Sequence, residues 1–421
     1  MASSTPDRSS QGSASAGTPA RVLLVENGIG YGGAIICLRH LVRHLDRDRF
    51  EPLVITGRTG PNYREIADEA RWLHLRDRYI NVVGMRDWIA RQGWSQRVPG
   101  LPFLLGQIVS RLDDIGNFLP FFLKLLWVAA RFQPAIIHAN NEPLSNRATL
   151  FVGKLLRTPV VSHIRADVRD VRFGRRLYRL PDYFICVSQW VSDGLGRLGV
   201  PADRKSVVYD GIPLETLDTS ADGSVFRARF GIPTDAFAVG LVGLLIPGKG
   251  QEIFIEAARQ LAARIPNLRM LIVGGTPDDC RLFERSLRES VARQGLADVV
   301  VFTGHVNEMP VIYQGLDVVV SASVTPEPLG TMVIEAMTMA RPLVVPNHGG
   351  GAEMVEDGCT GLQFQAGSAD SLADAIWSLY QDRALGERLG TAARAKALAT
   401  FAVDTHVQRV QEIYAQLLSK R

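Results

Sequence analysis

Cysteine is scarce and scattered in this chain: four in 421 residues, at Cys37, Cys186, Cys280 and Cys359, with no Cys-x-x-Cys pair. That argues against a disulfide framework or a zinc ribbon and for a reducing, cytoplasmic setting. A dominant charge is lacking too. The 47 Lys and Arg stand against 43 Asp and Glu, a net +4. That excess is too small to argue for nucleic acid, yet it is compatible with an anionic ligand or lipid surface. Long apolar runs are missing: no uncharged stretch exceeds about 13 residues, short of the roughly 18 to 20 that a membrane span needs. The first 20 residues are mostly Ser, Ala, Thr, Gly and Pro with no apolar core. They read as a disordered tail and not as a signal peptide.

What is present is an ordinary globular composition, 46% apolar and 21% charged, in a chain long enough for two domains of roughly 200 residues each. From Arg21 onward, short apolar runs alternate with segments of helical period. The first half offers strands at Pro52–Thr56, Ala135–His138, Val160–Ile164, Tyr183–Val187 and Ser206–Tyr209. The second half offers Phe237–Val242, Arg269–Val273, Val299–Thr303, Asp317–Ser321 and Pro342–Val345. Continuous apolar strands are those of parallel sheets covered by helices on both faces, and two sets mean two doubly wound domains. Ligands of such sheets gather at the carboxyl ends of the strands. The break falls after Asp210-Gly-Ile-Pro213, where the polar stretch Leu214 to Ser224 begins.

One segment departs from this scheme. Val98 to Phe132 is unusually apolar, and within Pro120–Phe132 only Lys124 and Arg131 are charged, seven apart on one face. Phe121, Phe122, Leu125, Leu126, Trp127 and Val128 occupy the rest. A helix hydrophobic on most sides is either core or leans on lipid.

The stretch from Ser321 to Glu353 carries the most chemistry. A strand ends, a Pro-rich loop presents Glu327, a helix opens at Gly330-Thr331, and Glu335 sits one turn inside. A helix start offers free N–H groups and a positive dipole end, a ready anion site. Carboxylates eight residues apart on either side of it can accept hydrogen bonds from the hydroxyls of a phosphorylated sugar. Either glutamate alone would be an ordinary solvated acid near a helix start.

With Gly330 between the two glutamates and Gly-Gly-x-x-Glu353 downstream, the pattern resembles family 4 of the retaining glycosyltransferases, which have the GT-B fold. Further matches follow in order. They are Gly30-Tyr-Gly32-Gly33-Ala, Ile-Ile-His138-Ala-Asn140, Val-Ser-His163, Val-Ser188 and Val-Val-Tyr-Asp210-Gly211-Ile-Pro. Val-Gly243-Leu-Leu-Ile-Pro-Gly-Lys249-Gly250, Val273-Gly274 and Phe302-Thr-Gly304-His-Val306 complete the series. The resemblance covers about residues 21 to 420 and is looser in the first half.

The resemblance implies α/β architecture: two Rossmann-like domains facing a central cleft. Residues 21–213 would bind the acceptor and 214–400 the nucleotide-sugar, with 401–421 a helix crossing back. It implies that Glu335 binds ribose hydroxyls, that Glu327 contacts the transferred sugar, and that Lys249 pairs with the diphosphate. Backbone N–H groups at Leu329, Gly330 and Thr331, with Gly32 and Gly33 from the opposite domain, would support the phosphates, and Val306 would cradle the base. His138 and His163, at expected strand ends facing the cleft, would position the donor sugar and the incoming hydroxyl, with Asn140 and Arg165 toward the acceptor. The implied reaction moves a hexose from a nucleoside diphosphate sugar to a hydroxyl of a glycan or lipid-linked glycan, with retention. It needs no cofactor and no metal, since Asp46-Arg-Asp48 sits at the polar end of an expected helix. The setting would be cytoplasmic or peripheral on an anionic membrane, with no nucleic acid involved. A nucleotide-sugar epimerase of the same fold and a non-catalytic sugar-nucleotide-binding homologue are the rivals.

Two departures stand out. The family's Arg in its Gly-Arg-Leu pattern is Leu244 here, which removes a phosphate contact; Arg165, just past His163, is the candidate to replace it. The family's Asn in the Pro-Asn-Gly turn is Asp210, a change that reads as minor because both residues suit turns. Six arginines (165, 169, 172, 175, 176, 179) against Asp167 and Asp170 form, at helical spacing, either a solvated face or an anion site.

Overall fold

A computed structural model of the chain describes residues 18–27, 33–77, 100–168 and 174–420, with a few positions between 85 and 98. Residues 1–17 of the expected tail lie outside the described residues, as do Gly30, Gly32, Arg169 and Arg172; Ala20 already belongs to a strand.

Two all-parallel sheets carry the fold. The first has the order β3-β2-β1-β4-β5-β6-β7. Its strands are β1 Ala20–Glu26, β2 Phe50–Thr56, β3 Arg71–His74, β4 Ile136–Asn140, β5 Val160–Ile164, β6 Tyr183–Cys186 and β7 Lys205–Val207. The second has the order β10-β9-β8-β11-β12-β13. Its strands are β8 Phe237–Val242, β9 Leu268–Val273, β10 Val300–Gly304, β11 Val318–Val320, β12 Leu343–Pro346 and β13 Leu362–Phe364. The central strands are buried along almost their whole length, as continuous apolar runs demand. The two short edge strands β3 and β13 went unread in the sequence, because Arg71–His74 is half exposed and Leu362–Phe364 has only three residues. In each sheet the order reverses beside its first strand, so a crevice opens at the carboxyl ends of β1 and β4 and of β8 and β11.

The chain passes between the sheets twice, and the two crossings are hydrogen bonded to each other. Ile212 N–H donates to Phe401 O at 3.1 Å, and Val403 N–H donates to Ile212 O at 3.2 Å. Gly211 permits this approach: a Cβ there would lie 2.7 Å from Ala402 O and from Val403 Cα. The second crossing enters the helix Val403–Ser419, whose Val407, Val410, Ile413 and Tyr414 join the core of β1 and the helix Gly33–His44 through Val22, Leu24, Leu38 and Leu41. Burying each such side chain contributes roughly 1.5–3 kcal/mol.

The apolar segment is neither wholly core nor wholly surface. It forms the helix Leu101–Asp113, a π-helical turn at Asp114–Phe118, and the helix Leu119–Phe132. Phe121, Leu125, Val128, Ala129 and Phe132 pack with Leu23, Val25, Ile137 and Ala139. Trp127 is 57% exposed, on the opposite side. The expectation that no stretch reaches span length is also corrected: the eighteen residues Ile115–Phe132 are long and apolar enough to cross a membrane by length and composition, once Lys124 and Arg131 are tolerated.

Candidate functional site

The loops that follow β8 and β11 meet. Val324 N–H donates to Gly248 O at 2.9 Å, which brings the end of the Gly243–Gly250 loop against the loop bearing Glu327. There Lys249 Nζ lies 2.8 Å from Glu327 Oε2, both side chains partly exposed. The Ser323 hydroxyl donates to Glu327 Oε1, and His348 Nε2 lies 2.8 Å from Ser323 O. The two residues that the resemblance assigns to diphosphate and sugar are thus paired with each other.

Gly349 and Gly350 clamp the same loop from behind. Gly350 N–H donates to Glu327 O at 2.8 Å. A Cβ on Gly350 would sit 2.5 Å from Pro328 O and 2.6 Å from Leu329 Cα. Close backbone approach, not a side chain, is what the triglycine supplies.

Gly330, at φ 94°, turns the chain into the helix Thr331–Thr338. Leu329 is buried among core residues, so only its backbone is available to a ligand. Glu335, one turn on, accepts the Tyr313 hydroxyl at 2.8 Å. Burial raises the Glu335 carboxyl above its usual range, against the opposing effect of that hydrogen bond. Glu335 and Thr331 line a cavity of about 660 Å³ together with Asn307 and Met309. Its opposite wall is one face of the helix Gly33–His44, with Gly33, Ile36, Cys37, His40 and Arg43, and the crossing segment Ile212–Leu217 closes one side. Val306, next to the lining residue Asn307, packs on the core and is not itself part of the lining. Lys249 and Glu327 are not part of the cavity's lining.

His138 and His163 do not face the cleft. Both are fully buried, their rings 5.3 Å apart. His138 Nδ1 lies 2.7 Å from the Tyr414 hydroxyl, and the His163 ring stacks on His406 at 5.6 Å. The crossing-back helix brings Tyr414 and His406 onto the sheet and seals both imidazoles. Burial, aided by Arg165, lowers the His138 pKa to about 3 and drives His163 down in the same way, so both rings are neutral.

Arg165 is likewise withdrawn. Its Nε and Nη2 donate to Asp210 Oδ2 and Oδ1 at 2.8 and 2.7 Å, and Nη1 donates to Asn140 Oδ1. With its side chain 4% exposed, Arg165 cannot stand in for the missing arginine at Leu244. Asn140 is fully buried, and its amide donates to Glu26, as does that of Asn141 at 2.8 Å. The acceptor role expected for Asn140 and Arg165 therefore gives way to a structural one. Asp210, read as a minor change, is the anion that holds Arg165. The arginine cluster is not one helical face either: Arg175, Arg176 and Arg179 lie exposed on or beside a short 3-10 turn.

Sequence reasoning missed Tyr313, His406 and Tyr414, which lie outside the motifs, and the reach of Glu353. The Glu353 carboxylate accepts Gln189 N–H at 2.8 Å and Trp190 N–H, and Tyr209 Oη lies 3.4 Å away. It caps the positive end of the helix Gln189–Arg197 in the first-sheet half. Among the described residues no group of three or more His, Cys, Asp or Glu is placed to hold a metal ion.

Known proteins share this fold. The family described as "Glycosyl transferases group 1" matches residues 224–396, and "Glycosyltransferase Family 4" matches residues 31–216. An alpha-D-kanosaminyltransferase of Streptomyces kanamyceticus is 31% identical over 48% of this chain and 50% of its own length. The chain thus spans about half the length of that relative. The lipopolysaccharide core biosynthesis mannosyltransferase LpsB of Rhizobium meliloti is 26% identical over 76% of this chain and 88% of that enzyme. Among solved structures, Anabaena Alr3699/HepE in complex with UDP and glucose superposes with a TM-score of 0.77 at 22% identity, over 94% of this chain and all of that one. Sucrose-phosphate synthase from Thermosynechococcus elongatus gives 0.74 at 21% identity, over 96% of this chain and all of that one.

Proposed function

The chain belongs to the glycosyl transferases group 1, family 4 of the glycosyltransferases, with the GT-B fold, and on that premise we propose that it moves a hexose from a nucleoside diphosphate sugar to a hydroxyl with retention of anomeric configuration. The observation that carries this reading is the cavity shared by Glu335, Thr331 and the Gly33 end of the opposite helix, beside the Lys249–Glu327 pair. HepE, crystallised with UDP-glucose, supports a nucleotide-sugar as donor.

Donor entry separates the ion pair. The Lys249 ammonium turns to the diphosphate, the freed Glu327 carboxylate accepts a hydroxyl of the sugar, and Glu335 takes the ribose hydroxyls. As the glycosidic bond lengthens, charge grows on the leaving phosphate. Lys249 and the N–H groups opening the helix Thr331–Thr338 meet that charge without a metal ion. The acceptor hydroxyl attacks on the face that the diphosphate leaves, and the phosphate oxygen takes its proton. The acceptor is a glycan or lipid-linked glycan met in the cytoplasm or at the inner face of a membrane, a reading that the name of LpsB supports.

Incubation with UDP- and GDP-hexoses and an alkyl glycoside acceptor, followed by proton NMR of the anomeric region, tests the reading. An α-linked product from an α-linked donor, undiminished by EDTA, is expected. Inversion, or a requirement for divalent metal, would contradict it.

A further inference from the structure

The outward side of the Leu101–Phe132 segment is apolar for most of its length. Leu112, Ile115, Leu119, Leu123 and Trp127 are 45–67% exposed and recur every three or four residues, the spacing of one helical stripe. Scattered apolar residues on a surface need no explanation, but a continuous stripe of this size marks an interaction face.

Ile115–Phe132 has the length and composition of a span, yet its other face is committed. Phe121, Leu125, Val128 and Phe132 are locked against β1, β2 and β4, so crossing a bilayer would mean leaving the sheet. The segment can only lie along a surface.

Charge selects what that surface is. Residues 101–157 hold six basic side chains (Arg111, Lys124, Arg131, Arg147, Lys154, Arg157) against three acidic ones. Lys124 is exposed beside Leu123, and the Arg131 guanidinium stands 4.0 Å over the Trp127 ring. A cation stacked on an exposed tryptophan suits the boundary between acyl chains and head groups, where the ring is half immersed and the charge stays wet. A second copy of the chain would fit poorly, since a self-contact through this stripe would bury Lys124 and Arg131 where residues 115–141 hold no acidic side chain to pair with them.

The geometry points to this stripe as the surface by which the protein lies on an anionic bilayer, the helix in the plane of the head groups and its sheet side facing the protein. The inference deepens the reading of a transferase that meets a membrane-borne acceptor, and it rests on that reading for its biological sense.

Flotation of the full chain with vesicles of phosphatidylcholine, alone or mixed with phosphatidylglycerol, tests it. Wild type should float with the mixed vesicles and weakly with the neutral ones. Leu119→Ser/Leu123→Ser/Trp127→Ser should lower partitioning on the order of tenfold or more, with the melting temperature and nucleoside diphosphate affinity kept. Lys124→Gln/Arg131→Gln, which leaves every buried side chain in place, should lower binding to mixed vesicles by about fivefold per charge. Undiminished flotation of either folded variant overturns the proposal, as does a wild type that floats with neither vesicle. A wild-type dimer in solution that the triple variant loses, without vesicle binding, would assign the stripe to a second copy and also overturn it. Nucleoside diphosphate binding by wild type is measured alongside, so failure of this surface is distinguished from failure of the transferase reading.

Discussion

Arg165 and Asp210 form a two-pronged ion pair sealed inside the first-sheet half, with N–O distances of 2.8 and 2.7 Å and neither side chain more than 6% exposed. Asp210 stands at the first crossing between the halves and Arg165 just beyond β5, so the pair fastens the crossing to the sheet. Removing one partner strands the other. Arg165→Met should cost about 3–5 kcal/mol of stability, because Asp210 is left as an uncompensated buried charge. Arg165→Met/Asp210→Leu should recover much of that loss, and urea unfolding of the single and double variants checks both. A stable single variant with weakened donor binding would instead restore Arg165 to the cleft.

The three imidazoles around this pair predict a pH dependence. Burial holds His138 at about 3 and lowers His163 and His406 below the usual histidine value. The unfolded chain therefore takes up protons that the folded one refuses. The stability these neutral rings represent is complete above about pH 6.5 and falls as the pH drops from there toward the folded values, by up to about 1.4 kcal/mol per pH unit for each ring. Denaturant melts between pH 7.5 and pH 4.5 should show this slope. His138→Gln should flatten it, and a flat wild-type profile would contradict the burial of these rings.

Gly350→Ala should act on turnover. The new methyl must displace the Pro328–Leu329 backbone that carries Glu327, and displacing a reacting group by about 1 Å costs on the order of a hundredfold in rate. Steady-state kinetics with nucleoside diphosphate titration should show kcat reduced and product affinity nearly kept. A variant with wild-type kcat would show that the clamp does not position Glu327.

How much of this was legible in the sequence follows from what each residue depends on. The fold could be read because parallel strands buried on both faces leave continuous apolar runs, and the closeness of Glu327, Gly330 and Glu335 because Glu327-x7-Glu335 is local to one loop and one helix. The histidines were misplaced because their burial is set from far along the chain: Tyr414 and His406 arrive on a helix more than 240 residues after His163. Arg165 looked free because its partner lies 45 residues away and was judged alone, as a turn residue. The apolar helix defied a single label because Phe121 and Trp127, six residues apart, face the core and the outside.

The most direct measurement is calorimetric titration of UDP and GDP into wild type and Glu335→Ala. In the proposed donor complex the Glu335 carboxylate, steadied by the Tyr313 hydroxyl at 2.8 Å, accepts the ribose hydroxyls. Such charge-assisted hydrogen bonds contribute about 1.5–3 kcal/mol, so the variant should bind the preferred nucleotide at least about tenfold more weakly. Tyr313→Phe should fall between the two. Equal affinities for wild type and Glu335→Ala, in a variant that melts like wild type, would contradict the assignment of this cavity to the donor.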